Sequence, residues 1–155
     1  MIYASGGNLA PSVAVADVNG DAKPDLLVAN QCAGSSCGGS TGIVGVLLGN
    51  GDGTFQAAVS YESGGQNAYS VAVNDVDGDG KPDLVVANYC TRGGCGDGTV
   101  AVLLGSGDGT FRPPVSYDSG GAHAFSVAVK DVNGDGKPDL WPTTVSAPAT
   151  LTMEP

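Results

Sequence analysis

Basic side chains are scarce in this sequence. Six Lys and Arg stand against sixteen Asp and Glu, for a formal charge of −10. A chain of that sign does not neutralise phosphates, which argues against a nucleic-acid partner. Histidine and tryptophan occur once each, as His123 and Trp141. With no phosphate-binding glycine loop and no His-rich metal cluster, catalysis is not expected of this chain. No run approaches the roughly eighteen continuous apolar residues of a membrane span. The start, Met1-Ile-Tyr-Ala-Ser-Gly-Gly, has neither a basic nor an apolar leader region, so no signal peptide is visible. Helical periodicity is missing over any helical length.

Glycine is abundant, with 26 residues, and 9 prolines accompany it, a composition of many turns. The acidic residues are concentrated: ten of the sixteen lie in three copies of one nine-residue loop. The copies run Asp17-Val-Asn19-Gly-Asp21-Ala-Lys23-Pro-Asp25, Asp75-Val-Asp77-Gly-Asp79-Gly-Lys81-Pro-Asp83 and Asp131-Val-Asn133-Gly-Asp135-Gly-Lys137-Pro-Asp139. The first Asp recurs after 58 residues (17 to 75) and after 56 (75 to 131). Two carboxylates about 5 Å apart repel by roughly 3 kcal/mol at an effective dielectric of about 20. A hard divalent cation removes that repulsion, and calcium, with loose geometry and six to eight oxygen ligands, fits better than magnesium. An EF-hand is the competing reading. It fails because the twelfth position is Val28 or Val86 in place of a bidentate Glu, and because the flanks read as strands.

The repeat extends past the loop. Ser12-Val-Ala-Val precedes it, matched by Ser70-Val-Ala-Val and Ser126-Val-Ala-Val. Asp25-Leu-Leu-Val-Ala-Asn30 follows, matched by Asp83-Leu-Val-Val-Ala-Asn88, and then Gly45-Val-Leu-Leu-Gly49 matches Ala101-Val-Leu-Leu-Gly105. Gly51-Asp-Gly-Thr-Phe55 with Val59-Ser-Tyr61 recurs as Gly107-Asp-Gly-Thr-Phe111 with Val115-Ser-Tyr117. Four short apolar runs between turn residues in about 56 residues describe a propeller blade. The expected fold is all-β: four-stranded antiparallel blades, about two and a half of them, in an incomplete propeller. The boundaries are a blade end at 1–11, blades at 12–61 and 70–117, a half blade at 126–140 and a non-repeat tail at 141–155, because Trp141-Pro142 breaks the pattern.

The strand Phe125-Ser-Val-Ala-Val, the loop Asp-x-Asn-Gly-Asp-Gly-x-x-Asp and the strand ending in Ala-Asn resemble the FG-GAP repeat of integrin alpha-chain propellers. They are equally similar to the FG-GAP/VCBS-type repeats of secreted and surface bacterial proteins. The resemblance implies a calcium-stabilised propeller for adhesion or ligand recognition, with no catalysis by the repeats. It implies metal ligands at Asp17, Asn19, Asp21 and Asp25; at Asp75, Asp77, Asp79 and Asp83; and at Asp131, Asn133, Asp135 and Asp139. The carbonyls of Lys23, Lys81 and Lys137 would complete the shells. Ala22 stands where the others have Gly80 and Gly136, and it is strained if that position needs a positive φ, so loop one is expected to bind most weakly.

Cys32 and Cys37, like Cys90 and Cys95, are separated by four residues at one blade position. Two local disulfides in an oxidising, extracellular setting are the leading reading; free thiols and a Cys₄ zinc site are alternatives. In a meander, the acidic loops share one face with the Gly-Asp-Gly-Thr-Phe turns, and the cysteine loops share the other with the connections between blades. That second face carries Gln66, Asn67, Tyr89, Arg92 and His123, candidates for gripping a protein or carbohydrate ligand. Tyr69 and Phe125 read as packing residues, and His123 as exposed and inert. Exposed strand edges imply either a longer propeller, the preferred reading, or a homodimer in which Ile2-Tyr3-Ala4-Ser5 supplies a fourth strand to a partner.

Overall fold

The computed structural model describes residues 1–34, 37 and 41–144. Nine strands follow one another: β1 (Ser12–Ala16), β2 (Asp25–Asn30), β3 (Thr41–Leu47), β4 (Val59–Asn74), β5 (Asp83–Cys90), β6 (Thr99–Leu103), β7 (Val115–Asp118), β8 (Ala124–Lys130) and β9 (Asp139–Thr144). Each pairs antiparallel with its sequence neighbour from β1 to β7, and β8 pairs with β9 alone. No helix occurs among the described residues. The fold is thus all-β and open: blade one is β1, β2, β3 and the first part of β4, and blade two is the rest of β4 with β5, β6 and β7. A half blade, β8 and β9, completes the described fold.

The apolar run of β5 is two-faced because blade two is covered on both sides. Leu84 and Val86 of β5 pack with Leu27, Ala29, Val44 and Val46 of blade one. Val85 and Ala87 of the same strand pack with Val127 and Leu140 of the half blade. Full burial of each of these Val and Leu side chains contributes about 1.5–3 kcal/mol. Two repeated contacts join the layers. Tyr3 meets Phe55 edge to face at 5.5 Å between centroids, and Tyr61 meets Phe111 in the same way at 5.5 Å. The buried amides of Asn30 and Asn88 hold the connection that crosses each blade, donating from Nδ2 to the carbonyl of Ser5 (3.3 Å) and of Ser63 (2.9 Å).

Three segments differ from the sequence reading. The connection between blades one and two is not a break: β4 runs 16 residues through it. Left-handed Gly64 and Asn67 bend it, so its start pairs with β3 and its end with β5. Residues 2–5 form no strand, because a fourth strand needs a third beside it. They lie instead on blade one of their own chain, through Tyr3 on Phe55 and a hydrogen bond from Ser5 Oγ to Asn30 Oδ1 (2.6 Å). The half blade does not stop at 140, since β9 continues to Thr144 with Trp141 opposite Ala128 and Pro142 opposite Val127. β9 is laddered on one side only, where a proline is tolerated, and Pro142 takes the buried position that Val86 holds in blade two. The rest of the expected tail, 145–155, lies outside the described residues.

Candidate metal centre and the opposite face

Each acidic loop is folded by its own carboxylates. Asp17 accepts from the amides of Gly20 (2.7 Å) and Ala22 (2.7 Å), Asp75 from Gly78 (2.8 Å) and Gly80 (2.9 Å), and Asp131 from Gly134 (2.6 Å) and Gly136 (2.9 Å). Those amides hold the Asp131 carboxyl below the ordinary carboxylate value. The sixth loop position is left-handed in all three copies, with φ of 61° at Ala22 and 82° at both Gly80 and Gly136. The expected strain in loop one is therefore present.

The ninth-position Asp does something the sequence did not announce. Asp83 is buried, accepting from the amide of Val76 (2.9 Å) in its own loop and from Gly105 (2.7 Å) at the end of β6. Asp25 repeats this with Val18 (2.9 Å) and Gly49 (2.7 Å), and Asp139 accepts from Val132 (3.0 Å). In blades one and two this Asp staples the acidic loop to the end of the third strand. Burial pushes the Asp83 carboxyl above its ordinary value, against the pull of the Gly105 and Val76 amides, and the charges of Asp77 and Asp79 add to the rise.

Loop two gathers Asp75, Asp77 and Asp83, with one carboxylate oxygen from each within 4.8 Å of the others. Calcium–oxygen distances of about 2.3–2.6 Å place ligands on opposite sides of the ion roughly 5 Å apart, so these three oxygens can share one calcium. Each also retains lone pairs beyond those the amides use. The residues present fit the ion. Asp79 is not in that group: Lys81 Nζ donates to it at 2.9 Å, and this hydrogen bond holds the Asp79 carboxyl low and the Lys81 ammonium high. Lys23 makes the matching ion pair with Asp21 at 3.3 Å. Loops one and three carry Asn19 and Asn133 in place of Asp77, so each offers one carboxylate fewer.

On the opposite face both cysteine pairs are disulfides, Cys32–Cys37 with Cα atoms 5.2 Å apart and Cys90–Cys95 at 4.5 Å. No thiol remains for zinc. Tyr89 and His123 come together there, rings parallel within 6° and centroids 4.0 Å apart. Tyr69 stacks on Tyr89 at 5.3 Å, and Phe125 meets both edge to face. His123 is therefore not the exposed, isolated residue expected. It is half-buried, with Nδ1 3.2 Å from the Tyr89 carbonyl. Its backbone is left-handed, as are those of Asn67 and Leu9 at the same repeat position, a conformation Asn and His adopt more readily than most. Gln66 is tied into the ladder opposite Thr41 and Cys90, and Arg92 pairs with Glu62.

Tandem four-stranded antiparallel blades, each with a nine-residue acidic loop between its first two strands, define a class of repeat protein. This chain belongs to the FG-GAP-like repeat family, which it matches over residues 17–86 and again over 75–141. It is also similar to the phosphatidylinositol-glycan-specific phospholipase D of Bos taurus, with 29% identity over 119 residues that cover 73% of this chain and 14% of that protein. The chain thus spans about a seventh of that relative's length.

Proposed function

We propose that this chain is a calcium-stabilised propeller section serving extracellular adhesion or ligand recognition. The observation that carries the metal reading is the convergence of Asp75, Asp77 and Asp83 within 4.8 Å. Two disulfides support an oxidising location. Calcium bridges the loop to Asp83 and so to β6, and loops one and three bind through Asp17, Asn19, Asp21 and Asp25 and through Asp131, Asn133, Asp135 and Asp139. The face with Gln66, Asn67, Tyr89, Arg92 and His123 presents aromatic and polar groups to a protein or carbohydrate. One finding favours a second reading: the relative is a phospholipase, so the repeats serve as the non-catalytic scaffold of a secreted enzyme.

Calorimetry and thermal unfolding with and without calcium test the metal. At about 1 mM calcium and a Kd near 0.1 mM, each filled site adds about 1.4 kcal/mol. Asp77→Ala should abolish the loop-two site and leave the others. No heat and no shift in Tm at millimolar calcium would falsify the metal reading. A glycan array separates the ligand classes, since signal lost on Tyr89→Ala supports a carbohydrate.

A further inference from the structure

The two ends of the stack are complementary. Call the side of a blade turned toward the next blade its front, and the other its back. Fronts are built from the residue after the first loop Asp and the second residue after the ninth-position Asp. In blade one these are Val18 and Leu27, and in blade two Val76 and Val85, with exposures of 1, 0, 7 and 0%. In the half blade the same positions are Val132 and Trp141, at 58% and 43%. Backs are built on the first Val of the Ser-Val-Ala-Val strand: Val71 and Val127, each at 6%, are covered by the preceding front. In blade one that position is Val13, at 59%, with Val15 beside it at 62%. Among the described residues, the half blade's front is thus uncovered at Val132 and Trp141 and blade one's back at Val13 and Val15. A separate groove of about 450 Å³, lined by Val76, Leu104, Val115 and Tyr117 with Asp77 and Arg112, lies on the front of blade two beside the half blade and is not part of this end face.

We infer that this chain associates head to tail with a second copy, the front at Val132 and Trp141 packing on the partner copy's back at Val13 and Val15. The occupant is a second copy because the same front-to-back contact occurs twice within one chain with the same residue positions, and each copy carries both halves of it. Burying Val132, Trp141, Val13 and Val15 removes four large exposed apolar side chains from water. The contact joins unlike patches, so it is heterologous and leaves one front and one back free for further copies.

Sedimentation velocity on the 155-residue chain tests this, together with the fluorescence of Trp141, the one tryptophan. The expected result is a species of twice 15.2 kDa or more that grows with concentration, with Trp141 emission moving to shorter wavelength in step. Val132→Asp disables only the front and Val13→Asp only the back. Each variant alone should be monomeric, its self-association weakened at least about 100-fold by a charge at an apolar contact. Mixed in equal amounts they should form a capped dimer, because each retains the half the other lacks, and that rescue also shows that both are folded. A wild-type chain that stays at 15.2 kDa with concentration-independent emission overturns the inference, whatever the variants do. So does a variant that dimerises by itself, which would place the contact elsewhere.

Discussion

Ala22 is a side chain in a glycine's place. Its φ of 61° lies in the left-handed region that Gly80 and Gly136 occupy in the other loops, and a Cβ there costs roughly 1–2 kcal/mol. Glycine gives back about 0.5–1 kcal/mol through the unfolded chain, so Ala22→Gly should stabilise the protein by about 0.5–1 kcal/mol and Gly80→Ala should destabilise it. Urea unfolding at fixed calcium decides, and equal midpoints for the two variants would contradict the account. The hairpin turns hold a second residue-scale device. The hydroxyls of Thr54 and Thr110, followed by their amides, keep the carboxyls of Asp52 and Asp108 below the ordinary value of 3.8. A depressed carboxylate contributes stability above its unfolded pKa and loses it as pH falls through the lower folded value. Thr110→Val removes the larger cause, so the Asp108 carboxyl should titrate closer to 3.8 by NMR while Asp52 stays where it was.

Among the elements, β4 and β5 bind the blades into one body. β4 belongs to two blades in turn, and β5 buries apolar residues on both faces. Asn88, at the end of β5, fastens the connection by donating to the Ser63 carbonyl, although its Oδ1 has no partner. In blade one the corresponding oxygen of Asn30 accepts from Ser5 Oγ at 2.6 Å. Asn88→Ala leaves the buried Ser63 carbonyl without that donor, which should cost about 1–3 kcal/mol. Thermal unfolding measures this, with exposed Asn50→Ala, part of a solvent-facing turn, as the control expected to change little. A loss no larger than the control's would show that the clamp contributes little.

For the whole molecule, stability should be graded along the stack. Blade two is covered on both sides, whereas the half blade is a two-stranded sheet covered on one, and an isolated two-stranded sheet is marginal in water. Amide exchange should therefore be slowest in β5 and β6 and fastest in β8 and β9, with β1 exchanging early because its outer edge is unpaired. Association through Val132 and Trp141 would slow β9 with increasing concentration. Uniform protection from β1 to β9 in dilute protein would contradict the gradient.

The blades, their order, the acidic loops and the disulfide pairs were legible in the sequence because each rests on local spacing: alternation within strands, Gly-Asp turns, Asp or Asn at loop positions one, three, five and nine, and cysteines separated by four residues at one blade position. Loop-one strain was legible too, since comparing copies puts Ala22 against Gly80 and Gly136. The binding roles of the loops and of the opposite face are the proposals above. Tertiary structure alone decided which neighbour each group meets. The buried staple from Asp83 to Gly105 and the stacking of His123 on Tyr89 join residues 22 and 34 positions apart. The continuity of β4, and the strand that carries on through Pro142, depend on which edges are paired. The staple closes inside one blade, between its acidic loop and the end of its third strand, whereas the ring stacking and the shared strand arise from joining one copy of the unit to the next. The same packing leaves one front and one back uncovered.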